Sequence, residues 1–247
     1  MLNIARKELK SMFASPMGWI ILAVIAAMFG NYFANGVTDY LDVASGAIRP
    51  AERFGITQAV SQSVYGSASF IMLFAVPLLS MRLIAEERRS QTMPFLFSSP
   101  LSITDIVVGK FLGLMAFLAT LILYIGLMLS TLNLWSDIDF GYIVANTIGL
   151  FLLVGSFCAL GIYFSSLTSQ PIIAGILSFI FSFILMILGR FFANDPTNVA
   201  GQFSFSTHFQ SFASGLIDTA DLAFFILFIV TFLTLTIRRL DADRLRG

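Results

Sequence analysis

The chain reads as an all-α integral membrane protein with six transmembrane helices. Three observations carry that reading. Residues 11–38, 54–81, 111–136, 140–189 and 222–237 contain no Asp, Glu, Lys or Arg. The fourth of these runs is long enough for two crossings, because an apolar core of about 30 Å takes about 20 helical residues. Of 247 residues, 57% are hydrophobic and only 11% are charged, whereas a soluble domain averages about 25% charged residues. The runs are uniformly apolar and do not alternate, which favours helices over a barrel.

Residues 2–13 form an amphipathic helix by pattern. Leu2, Ala5, Leu9 and Met12 share one face, and Asn3, Arg6, Lys7 and Lys10 share the other. Such a helix would lie in the membrane interface with its basic side chains near anionic headgroups; a plain basic flank is the alternative. The spans are expected near 17–35, 64–84, 111–134, 141–164, 172–190 and 221–238. Ser15-Pro16 precedes the first as a cap and a first-turn proline, and Gln170-Pro171 opens the fifth in the same way. The basic start could imitate a signal peptide, but the first run is long and five spans follow, so an uncleaved first helix is expected. Residues 36–63 are polar and mixed in charge, as in a solvated loop or short helix. Gly109 and Gly113 give the small-xxx-small spacing that lets helices approach.

Basic residues set the expected orientation. With both termini inside, the inner side holds Arg6, Lys7, Lys10, Arg82, Arg88, Arg89, Lys110, Arg238, Arg239, Arg244 and Arg246, and the outer side only Arg49, Arg53 and Arg190. The net charge of zero leaves no footprint for nucleic acid. Cys158 lies inside a span and reads as a small packing residue. His208, the single histidine, has no cysteine or second histidine to complete a metal site.

Two segments outside the spans stand out. The loop between spans two and three, residues 82–110, starts with a mixed-charge cluster in which Glu86 can pair with Arg82 and Arg89 at helical spacing. An apolar patch of Met93, Phe95, Leu96 and Phe97 follows, between Pro94 and Pro100. It needs burial, either in a partner's groove or in the lipid interface. The segment from 193 to 220 carries aromatics at 203, 205, 209 and 212 and only Asp195 and Asp218 as charges. It should be packed or half-immersed, with Gly201 and Gly215 as breaks. His208 there should face water or cap a helix; a catalytic role finds no nucleophile or base nearby in sequence.

The string from Met81 to Phe111 (MRLIAEERRSQTMPFLFSSPLSITDIVVGKF) resembles the loop of type-2 ABC transporter permeases, with its Ala-Glu-Glu-Arg, apolar stretch, Ser-Pro and Gly-Lys entry to the next helix. Within that family the chain is similar to gliding-motility (GldF-like) permease subunits, through Lys7-Glu8-Leu9 to Ser15-Pro16, Ile162 to Gln170 and Phe203 to Asp218. Ser90-Gln91-Thr92 replaces the usual Ser-Gly-Thr, and Ser169 stands where a lysine is frequent. The resemblance implies a bacterial cytoplasmic-membrane protein that pairs with a second permease. Each half would sit on a cytoplasmic ATPase subunit that binds ATP and Mg. A membrane subunit with a large outer domain is a further implied partner. The loop would act as the coupling helix, with Glu86, Glu87, Arg88, Arg89, Met93, Phe95 and Leu96 as coupling residues. The outer segment would form re-entrant helices closing an outer gate, with Phe205, His208, Phe209, Phe212 and Gly215 as gate residues.

The expected function is thus the permease of an ATP-driven exporter. The chain lacks a G-x-x-x-x-G-K-S/T loop and would not hydrolyse ATP itself. A lipid-modifying enzyme would need a site chemistry that Asp137 and Asp139 alone do not supply. A lone ion-coupled carrier is opposed by the charge-free spans. An uncharged wall suits a lipid-linked, apolar or polymeric cargo better than a small ion.

Overall fold

A computed structural model describes residues 1–45, 55–93, 102–134, 138–191 and 199–246, and among these every regular element is a helix. In chain order they are α1 (Leu2–Ala14), α2 (Pro16–Ala44), α3 (Ile56–Ser80), α4 (Arg82–Arg89), α5 (Ile103–Ser130), α6 (Phe140–Leu167), α7 (Pro171–Phe191), α8 (Phe205–Ala213) and α9 (Thr219–Arg246). Six helical stretches are long and apolar enough to cross a membrane: Pro16–Val43, Ile56–Arg89, Ile103–Leu134, Phe140–Leu167, Pro171–Phe191 and Thr219–Arg244. The six crossings place α1, α4 and the end of α9 together at one end of the bundle, here the terminal end, and α8 at the other, the distal end.

Local chemistry sets the helix borders. Pro16 stands in the first turn of α2, where its missing N–H goes unneeded. The Ser15 side chain makes no cap hydrogen bond, contrary to expectation. The elbow between α1 and α2 depends on Gly18 and Trp19. A Cβ at Gly18 would lie 2.2 Å from the Met12 carbonyl oxygen, and Trp19 Nε1 donates to the Phe13 carbonyl at 2.8 Å. Ser102 caps α5 by accepting from the Asp105 N–H at 3.0 Å. Asp139 caps α6 by accepting from the Tyr142 N–H at 3.1 Å, so this candidate acid has a structural task. Asp137 lies outside the described residues.

Two expectations need correcting. Residues 36–44 are not loop but the last turns of α2, and α3 begins at Ile56 rather than near 64. The two helices stay paired beyond the apolar runs because Gly36 lets α2 close on α3, its built Cβ 3.3 Å from Val60 Cα and Ser63 Cβ. On α1, Leu2 is exposed, while Ile4, Ala5, Glu8 and Met12 turn toward the bundle. Arg6, Lys7 and Lys10 are exposed as expected.

The core sits around α3 and α6, the most enclosed of the six crossings, whereas α2, α7 and α9 keep most of their apolar surface outward. On α7 the outward face includes Ile172, Ile176, Ile180 and Ile184. Fully buried Val64, Met72, Phe117, Leu153 and Phe157 fill the centre. Cys158 is buried there as well.

Candidate functional site

At the terminal end, the chain leaves α3 for α4 through Met81, which keeps helical angles (φ −55°, ψ −32°). Pro77, one turn earlier in α3, cannot donate a backbone bond and crowds the preceding turn. Past Met81, the Ile84 and Ala85 N–H groups both donate to Ser165 Oγ, at 3.1 and 3.0 Å. The Ser165 hydroxyl donates in turn to the Met81 carbonyl at 2.7 Å. This buried serine has used its one donor and both acceptor positions to splint the joint. The approach is close because Gly161, one turn earlier on α6, offers no Cβ: one built there would lie 1.9 Å from Ser80 Oγ.

Ion pairs tie α4 to both ends of the chain. Lys110 on α5 has 3% side-chain exposure; it donates to Glu8 Oε1 on α1 at 2.9 Å and to Glu87 Oε1 on α4 at 2.8 Å. A buried ammonium is tolerated only with such partners. Arg88 pairs with Asp243 of α9, which Arg239 also approaches at 3.7 Å. α1 lies close enough for this because Gly109 and Gly113 form its seat: a Cβ at either would lie 2.8 Å from Ile4 Cβ or Glu8 Cβ, respectively.

Of the residues implicated in coupling, Glu87 and Arg88 are thus engaged internally, Glu86 and Arg89 are exposed, and Met93 is buried against the bundle. Phe95 and Leu96 lie outside the described residues. Among the described residues Glu86 forms no ion pair with Arg82 or Arg89; instead Arg82, Glu86, Glu8 and Lys110 line a polar cavity of about 340 Å³ between α1 and α4.

At the distal end, α8 presents Phe205, Phe209 and Phe212, one helical face, to the bundle, and all three are buried. Phe205 enters a cluster with Phe157 (5.6 Å between ring centroids), Phe225 (5.9 Å) and Phe228 (4.9 Å). Phe212 lies on Gly149 of α6, where a Cβ would be 2.4 Å from Phe212 Cβ. Gly215 ends the segment at φ +83°, a conformation that favours glycine, and a side chain there would meet Tyr142 at 2.6 Å. Tyr142 itself donates its hydroxyl to the Ala213 carbonyl at 2.5 Å.

His208 neither faces open water nor caps a helix. Its ring stacks on Phe224 with centroids 3.8 Å apart. Nδ1 lies 2.6 Å from Asp221 Oδ1, and Nε2 lies 2.7 Å from the Gln202 carbonyl. A carbonyl only accepts, so Nε2 carries a hydrogen. The histidine therefore fastens α8 to the start of α9.

Beside α8, a cavity of about 550 Å³ opens between α3, α6, α7 and α8. From α3 it takes Gln62, Gly66, Ser69 and Phe70, from α7 Phe183, Met186, Ile187 and Arg190, and from α8 Ser206, Phe209 and Gln210. Each set recurs at helical spacing, so three helix faces converge on one space. Asn146 of α6 completes the lining.

Against this architecture, a family model described as ABC-2 family transporter protein matches residues 2–245. The chain belongs to the ABC-2 transporter family. No curated protein matches it. This ABC-2 protein is accordingly a multi-pass membrane component of an ABC transporter, a permease rather than an enzyme in its own right.

Several site residues of the ABC-2 protein escaped sequence reasoning: Lys110, Glu8, Asp243, Ser165, Tyr142 and Asp221. Lys110 left a usable signal. It borders an apolar run, and a lysine carried into a packed helix must find a carboxylate among the few acids on its own side. Glu8 and Glu87 were two of those few. Ser165 left none, because a serine that splints a joint in another helix looks like any serine in a turn.

Proposed function

We propose that this chain is the permease subunit of an ATP-driven exporter in the bacterial cytoplasmic membrane, with both termini cytoplasmic. The cytoplasmic ATPase partner holds ATP and Mg, and two permeases, identical or related, pair so that the path runs between them. The gliding-motility resemblance narrows this to a GldF-like subunit, with a membrane subunit bearing a large outer domain as a further partner. The observation that carries the reading is the wiring of α4. A displacement of the loop 82–110 is handed to α1 and α5 through Lys110, to α6 through Ser165 and to α9 through Arg88. A segment with no mechanical task would not need contacts to so many helices. Glu86 and Arg89 are left to face the ATPase, with Phe95 and Leu96 filling its groove, while Glu87 and Arg88 relay the motion inward. At the distal end, α8 is the re-entrant gate element, whose Phe205, Phe209, Phe212, His208 and Gly215 hold the closed position. ATP binding draws the ATPase subunits together and the two ends change state in concert.

Co-purification with an ATPase subunit, and loss of transport-coupled turnover when Phe95→Asp and Leu96→Asp are combined, tests this. Normal assembly and turnover in that double variant would remove the coupling assignment. Full transport by the isolated chain in vesicles, without nucleotide, would remove the function itself.

A further inference from the structure

The distal cavity has a polarity gradient along the bundle axis. α3 runs inward from the distal end and α7 runs outward to it, so Gln62 and Arg190 stand at the rim with Gln210. Phe70, Leu73 and Phe183 lie deeper, Phe183 roughly 10 Å below Arg190 at 1.5 Å per residue. Charge and amides thus surround the mouth, and hydrocarbon surrounds the floor.

Two details mark the space as kept open for an occupant. Gly66 sits in the interior of α3, where glycine is disfavoured, and a Cβ built on it meets nothing within 4 Å. No neighbour requires the glycine, and the volume it vacates belongs to the cavity. Asn146 is fully buried. Its Nδ2 donates to the Tyr142 carbonyl at 2.9 Å, while its Oδ1 has no partner. A buried acceptor left without a donor is costly, and a ligand hydroxyl would supply one.

We propose that this cavity binds an anionic, hydroxyl-bearing, single-chain amphiphile, its charged head at Arg190, its hydroxyl at Asn146 and its chain between α3 and α7. The volume of about 550 Å³ falls within the ordinary range of ligand pockets. An Arg–anion contact is a charge-assisted bond. This deepens the transport reading by naming a cargo class, and it rests on that reading for the ligand's fate but not for its binding.

Photoreactive 1-acyl lysophosphatidate, binding to the full chain in nanodiscs of neutral lipid, tests the proposal. It is compared with a monoacylglycerol of the same chain and with glycerol 3-phosphate. The lysophosphatidate should bind about tenfold more tightly than the monoacylglycerol, and the photolabel should fall on α3, α7 and α8. Glycerol 3-phosphate should not compete. Arg190→Gln should erase the tenfold preference, and Gly66→Leu should weaken both lipids alike. Equal binding of charged and neutral lipid would mean bulk annular lipid and overturn the proposal. Competition by glycerol 3-phosphate would mean a free-anion site and overturn the amphiphile. Wild-type labelling in a folded Gly66→Leu would move the ligand elsewhere; should that variant not fold, the position of the label on the unaltered chain decides. Selective binding without ATPase-coupled turnover would count against the transport reading alone, and coupled turnover without selectivity against this site alone.

Discussion

At the terminal end, four helices are joined by charge: Lys110 to Glu8 and Glu87, and Arg88 to Asp243. At the distal end, α8 is joined to its neighbours chiefly by shape, with Phe212 on Gly149 and Phe205 among four other rings. The difference follows from what each end has to hold. The terminal end gathers separate short helices, α1 and α4, that carry too little apolar surface to be packed by burial alone, and ion pairs fix their direction. The distal end seats one short aromatic helix in a cleft floored by glycines, where close contact is enough. Ion pairs can be exchanged for others in steps; interlocked rings must separate before they move.

The largest expected effect breaks the charged end. Lys110→Met should cost about 3 kcal/mol in resistance to unfolding in detergent, because it leaves Glu8 and Glu87 facing each other without a cation. Adding Glu8→Gln and Glu87→Gln to that variant should restore most of the loss; no restoration would mean that the lysine stem, not its charge, holds the helices. Next comes Ser165→Ala, which strips two backbone donors and one carbonyl of their partner and should cost about 2 kcal/mol by the same measurement. At the distal end, Gly149→Ala should cost about 1–2 kcal/mol through the forced contact with Phe212. That cost should shrink in a Phe212→Leu background, and an unchanged cost would separate the glycine from the ring. The smallest change, Tyr142→Phe, removes one hydrogen bond to Ala213 and should cost about 1 kcal/mol. It should raise amide hydrogen exchange in α8 while leaving α4 unaltered.

The two ends also differ in how far they could be read in advance. All six crossings were legible, because helices in lipid show themselves as uncharged runs punctuated by Ser-Pro, Gln-Pro and Asp caps. The seat for α1 was half legible, since Gly109 and Gly113 announced a close approach but not the helix that makes it. The aromatic spacing of 205, 209 and 212 announced a buried face, and α8 buries that face. The pairings were not legible. Phe212 meets Gly149 across 63 positions of chain, and Arg88 meets Asp243 across 155. Nothing local to either partner encodes the other. The extension of α2 and α3 past the apolar runs was missed for a related reason. Its cause is the interhelical contact at Gly36, not the polarity of residues 36–44.

The splint at Ser165 has a consequence for the manner of movement. One oxygen atom serves three backbone groups at the joint between α3 and α4, so sliding α4 past α6 forfeits all three contacts together. A hinge pinned at a single point resists small loads almost completely and then gives way at once. Bending there is therefore a threshold event and not a graded one, with the barrier set by a residue that belongs to neither of the helices it holds.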